Sequence, residues 1–196
     1  MMRGQCSANC TTNFAGTCLM ATLSRLESEG GQVVGVNRVL TVPLISARDL
    51  HEIRITGMAL EGMATRTTVE HMTSKELASV TWVYSEMGAA AGERDVHLYF
   101  ELNWSFRSKI YHVTHDRLLI NFIENLWLRV GPLIQLAIPS PGHFTQSMQY
   151  YWATTQVLIR GDAEAATGAI ESGISEVAVD WLRVLEIHRN EERGVL

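Results

Sequence analysis

The chain has 196 residues, 46% apolar and 19% charged, with a formal net charge of −5. That apolar content supports a buried core and excludes a disordered chain, while the acidic balance excludes a protein dominated by nucleic-acid contacts, so any DNA binding must come from a local surface. No apolar run approaches the ~20 residues that span a bilayer, and residues 1–18 lack the apolar stretch of a secretory signal, so a cytoplasmic location is expected.

Cys6, Cys10 and Cys18 follow a C-x3-C-x7-C pattern with no CxxC and no histidine at zinc-site spacing, which reads as free thiols and no metal. Residues 19–29 place Leu19, Leu23 and Leu26 at helical spacing and stop at Gly30-Gly31. Val33, Val34 and Val36, then Asn37-Arg38, then Val39, Leu40 and Val42 form two β-branched runs about a turn, a small hairpin closed by Pro43.

From Ser46 the pattern is helical to the end. Ser46 caps a helix to about Arg66, with Leu50, Ile53, Met58, Leu60 and Met63 as its apolar positions. Thr73 and Glu76 make a capping box for a helix from Ser74 to about Ala91. A third helix from about Arg94 to Val113 buries Leu98, Leu102, Phe106 and Ile110, and Asp116 caps a fourth that reaches Ile138 with a kink expected at Gly131-Pro132. The turn Pro139-Ser140-Pro141-Gly142 leads into a fifth helix, about Phe144 to Arg160, and Gly161-Asp162 opens a sixth to about Ile187. Trp104, Trp127, Trp152 and Trp181 all fall at apolar helical positions and are expected in the core.

Three stretches in this order carry a resemblance: LSRLESEG, then NR and RDLHEIRITGMALEGMA; NWSFR, then LINFIENLWLRVGP; and a helix ending in RGDAEAA. Together they resemble the FadR-type branch of the GntR superfamily of bacterial transcription regulators. The resemblance implies an all-α fold, an antiparallel bundle of six or seven helices over residues 46–188 that binds a small effector. Before it, residues 1–43 resemble a remnant of a winged helix-turn-helix, one helix plus a β-hairpin. Thr17 to Glu29 takes the place of the recognition helix and Val33 to Val42 that of the wing. In place of the family's arginine-bearing run the chain reads AGTCLMATL, leaving Arg25, Asn37 and Arg38 as candidate DNA contacts; their alternative role is as solvated surface groups.

Many relatives hold a divalent metal through an Asp and a His at i and i+4 and two later histidines. Those positions fall here on Asn103, Arg107, Tyr151 and Gly173, a set without the ligand types a metal needs, so no metal or cofactor is expected. Arg107 instead offers a fixed positive charge that could grip a carboxylate through two parallel hydrogen bonds, with Asn103 and Tyr151 as orienting neighbours and Arg54 as either a second cation or a surface charge. The alternative for Arg107 is solvent exposure or pairing with a structural glutamate. The other histidines singled out, His51, His71, His112 and His115, have no carboxylate at catalytic spacing, and no nucleophile set or phosphate loop stands out, so an enzyme is not expected. The implied function is a homodimeric regulator that senses a small organic acid and binds operator DNA only if the remnant winged helix is functional; a lone recognition helix and wing should give at most weak, salt-sensitive binding. The alternative is a stand-alone small-molecule-binding or dimerisation module.

Overall fold

The computed structural model describes residues 33–34, 40–41, 45–137 and 142–192. The chain divides into two units, residues 1–43 and 44–196. In the first, β1 (Val33–Val34) pairs antiparallel with β2 (Leu40–Thr41), Val33 opposite Thr41 and Val34 opposite Leu40. These two rungs are all that is described of this unit; the rest of the hairpin expected over Val33 to Val42 and the helix expected over 19–29, with Arg25, Asn37 and Arg38, lie outside the described residues.

Among the described residues the second unit is all α. Its helices are α1 (Ala47–His71), α2 (Ser74–Glu93), α3 (Val96–His112), α4 (Arg117–Ala137), α5 (His143–Arg160) and α6 (Ala163–Glu192). Local chemistry sets their starts. Ser46 and Asp49 satisfy each other's backbone N–H across the first turn of α1, and Thr73 with Glu76 does the same for α2. Asp95, Asp116 and Asp162 accept from the backbone N–H groups of Leu98, Leu119 and Ala165, each three residues on.

Packing sets the rest. α1 lies along α6, α2 touches α3 and α5, and α4 closes against α1 and α6, around a core that includes Leu50, Val80, Met87, Tyr99, Phe106, Ile110, Ile123 and Leu133. α1 approaches α6 closely at Gly62, where an added Cβ would sit 2.7 Å from Glu171 Oε1 and 3.3 Å from Thr167 Cγ2.

Three expectations about burial and one about length are corrected. Leu98 is 39% exposed because the neighbouring Tyr99 takes the inward position and its hydroxyl meets Ser147. Met63 and Trp152 also face outward, at 51% and 55% exposed. α1 runs on to His71, past the expected end near Arg66, because Thr68 is held inside by donating its hydroxyl to the Ile110 carbonyl at 2.6 Å, which overrides the weak helix preference of Thr67-Thr68. α4 stays helical through Pro132.

Candidate functional site

One charged cluster lies inside the bundle. On α3 the i, i+4 spacing of Asn103, Arg107 and Tyr111 puts three polar side chains on the inward face, and all three are buried. α1 answers with Glu61, also buried. Arg107 Nη1 donates to Glu61 Oε2 at 2.8 Å, the Tyr111 hydroxyl donates to the same oxygen, and Trp127 Nε1 of α4 donates to Oε1 at 3.3 Å. The guanidinium also lies over the Trp127 and Tyr151 rings, 5.4 and 5.9 Å from their centroids.

The electrostatics follow from this geometry. Burial works against the Arg107 charge, but the Tyr111 and Tyr151 oxygens and the Glu61 carboxylate more than offset it, so the guanidinium stays protonated. Burial and the Glu61 carboxylate hold the Tyr111 hydroxyl well above the usual phenol range, and burial, opposed by Arg107, raises that of Tyr151, so both are neutral.

Beside this cluster is a cavity of about 50 Å³, lined by Arg54, Glu61, Asn103, Arg107, Tyr151 and further residues that include His143 and Trp181. Four side-chain atoms of its lining residues are buried without a hydrogen-bond partner: Asn103 Oδ1, Arg107 Nε, His143 Nε2 and Trp181 Nε1. Their residues are only 6%, 8%, 6% and 9% exposed. Buried polar atoms are nearly always hydrogen-bonded, so four unpartnered ones among the residues of one cavity set this region apart from the rest of the core.

The structure thus brings together all four residues of the expected effector site, Arg54, Asn103, Arg107 and Tyr151. It settles Arg107 as paired with Glu61, while leaving its Nε unused. Arg54, half-buried on α1, donates to Ser175 Oγ at 3.0 Å. Glu61, Tyr111, His143 and Trp181 were missed. The signal for Glu61 was present: an acidic residue on the inward stripe of Gly57, Ala64 and Thr68 needs a buried partner.

The donor set does not fit a divalent metal. Asn103, Arg107 and Tyr151 meet on the cavity, and a Cβ at Gly173 would lie 3.9 Å from Arg107 Nη2, so the guanidinium reaches into the room a side chain at 173 would take. Among the described residues no group of three or more His, Cys, Asp or Glu side chains could hold a metal ion.

Comparison with known proteins matches this bundle to the FCD domain over residues 49–175. The chain belongs to the FCD-domain family. A curated relative is the HTH-type transcriptional regulator McbR of Escherichia coli, 33% identical over 116 residues, a match covering 59% of this chain and 52% of McbR. The chain therefore matches about half the length of that relative. The solved structure of E. coli McbR/YncC superposes with a TM-score of 0.78 at 25% identity, covering 88% of this chain and 86% of the other. The FCD fold is shared at lower identity by a GntR-family transcriptional regulator from Pseudomonas syringae, with a TM-score of 0.64 at 18% identity over 91% of this chain and 73% of that one. Lar of Listeria monocytogenes gives 0.65 at 14% identity over 84% and 79%. The GntR-type resemblance drawn from the sequence holds for this FCD domain. Among the described residues no helix is long and apolar enough to cross a membrane.

Proposed function

We propose that the FCD bundle is the effector-sensing part of a GntR-type transcription regulator, that its ligand is a small organic acid, and that the chain performs no catalysis. The observation that supports this most is the cavity whose lining residues include four with unpartnered buried polar atoms, one of them on a buried guanidinium. Arg107 meets Glu61 through Nη1. Its Nε has no hydrogen-bond partner, so a ligand carboxylate that reaches it on a small rearrangement of the lining would not have to displace Glu61.

In this reading Asn103 and Tyr151 orient the acid and Arg54 adds a second positive charge. Arg25, Asn37 and Arg38 would contact operator DNA, the protein would act in the cytoplasm, and the active form would be a homodimer, as two-fold operators require. Light scattering would show that dimer as twice the 21.9 kDa chain mass. The regulator names of the matched relatives favour this over a stand-alone binding module.

The test is a thermal-shift screen of short organic acids. Binding at a hundredfold excess over the dissociation constant stabilises by about 2.7 kcal/mol, which is easily read as a rise in Tm. The paired variant Glu61→Leu/Arg107→Met, which removes both charges together, should abolish the shift. If no acid raises the Tm of the wild type, or the paired variant responds equally, the reading fails.

A further inference from the structure

Arg54 belongs to two linings at once. One is that of the cavity inside the bundle; the other is that of a surface groove of about 280 Å³ between α1 and α6, walled by Leu50 and His51 on one side and by Ser175, Val179 and Leu182 on the other. The two linings have no other residue in common, so Arg54 is where the two spaces adjoin. Its Nη1 donates to Ser175 Oγ at 3.0 Å, a half-buried bond that runs from α1 across the seam to α6.

Inward of Arg54 the wall of α1 is low. Arg54, Gly57 and Glu61 follow at i, i+3 and i+7 on one face, and even a Cβ added at Gly57 would meet nothing nearer than Glu61 Oε1, at 3.5 Å. A molecule that passed Arg54 would meet no side chain on that face before Glu61.

The lining is also half-buried along α4, at Leu126 and Trp127, but that side is held more firmly. Trp127 donates to Glu61, packs on the Trp104 ring at 5.2 Å between centroids and lies under the Arg107 guanidinium. Opening there would break all three contacts. Arg54 is a long, unbranched side chain anchored at its tip, and such a side chain changes rotamer in picoseconds to nanoseconds once released, whereas packed helices part in microseconds to milliseconds.

We infer that the groove is the entrance to the cavity and that the Arg54–Ser175 hydrogen bond is its latch. Small molecules reach the bundle interior when the Arg54 side chain swings off Ser175, with α1 and α6 remaining packed. Ser175 is thus a positioning residue for Arg54, and this role does not depend on which ligand the cavity takes.

Trp181 reports on the latch with water as the only probe. Its indole N–H faces no hydrogen-bond partner and its side chain is 9% exposed, so its exchange with deuterated solvent is set by how often water reaches it. Trp82 and Trp152, 59% and 55% exposed, exchange at once and do not interfere. Exchange of the indole N–H groups in the full chain is followed by NMR, and the backbone amides of the buried Val80, Val83 and Met87 report opening of the whole bundle.

Ser175→Ala should speed the Trp181 N–H by about tenfold, the lower end of what one hydrogen bond to a charged group is worth, and leave those amides unchanged. Ser175→Thr, which keeps the hydroxyl, should stay close to the wild type. Val179→Trp, at a position 50% exposed on the groove, should plug the entrance and slow the Trp181 N–H. A Trp181 rate that neither Ser175→Ala nor Val179→Trp changes would place the entrance elsewhere and overturn the inference. So would Ser175→Ala speeding the core amides by the same factor, since the bond would then only hold the bundle together. Neither result bears on the acid sensor, which the thermal-shift screen decides separately.

Discussion

Removing one charge of the Glu61–Arg107 pair should cost far more than removing both. The two side chains are 6% and 9% exposed, so water cannot solvate the survivor. With Arg107→Met, Glu61 keeps the Tyr111 hydroxyl and the Trp127 N–H, two neutral donors around a full buried charge. Breaking a buried pair in this way costs about 3–5 kcal/mol, whereas replacing both partners by apolar residues of similar volume is often close to neutral. For a helical unit of this size that is a fall in Tm of roughly 6–20 °C for either single variant. Equilibrium unfolding in urea of Glu61→Leu, Arg107→Met and the paired variant, with a common slope, measures the cycle. The double variant should lie closer to the wild type than to either single one. Single costs under about 1 kcal/mol, or costs that add, are what a water-accessible pair gives, and would refute the buried-site reasoning.

Two other perturbations probe the same region. Gly173→Ala should stabilise by about 0.5–1 kcal/mol, because the new Cβ meets Tyr150 and Arg107 no closer than 3.7 Å while a mid-helix glycine carries an entropic penalty; thermal unfolding checks it, and a loss of stability would mean the helices cannot hold that distance. Gly173→His should instead destabilise by about 1–3 kcal/mol by driving its ring toward the guanidinium. His143 gives a pH signature. Its folded-state pKa is lowered by burial, so the unfolded chain takes up the proton first; its contribution to stability is full above the ordinary pKa of about 6.5 and is lost as pH falls from there through the folded value. Urea midpoints from pH 7.5 to 5 should show a decline that is shallower in His143→Phe, and parallel profiles would reject this account.

The helices were legible because their signals are local. Ser46 with Asp49, Thr73 with Glu76, and the aspartates at 95, 116 and 162 sit within three or four residues of the N–H groups they satisfy. Facing was less legible. Leu98 and Tyr99 are adjacent apolar residues, and periodicity alone cannot say which turns inward when helix phase is fixed only to a residue or so; contact with Ser147, forty-eight residues away, decides it.

The site divides along the same line. Asn103 and Arg107 sit four apart on one helix, and their meeting with Tyr151 could be projected from a family pattern, but the partner that sets the charge of Arg107 is Glu61, on another helix and forty-six residues back. Reading Arg107 alone suggests a lone cation waiting for an anion. Reading it with Glu61 gives a neutral pair with one unpartnered Nε, and leaves Arg54 as the lining charge that Glu61 does not offset. An arginine aimed into a bundle is therefore only half a statement about its ligand: the other half is held by whichever inward stripe contains an acid, and here the glutamate between Leu60 and Gly62 supplies it.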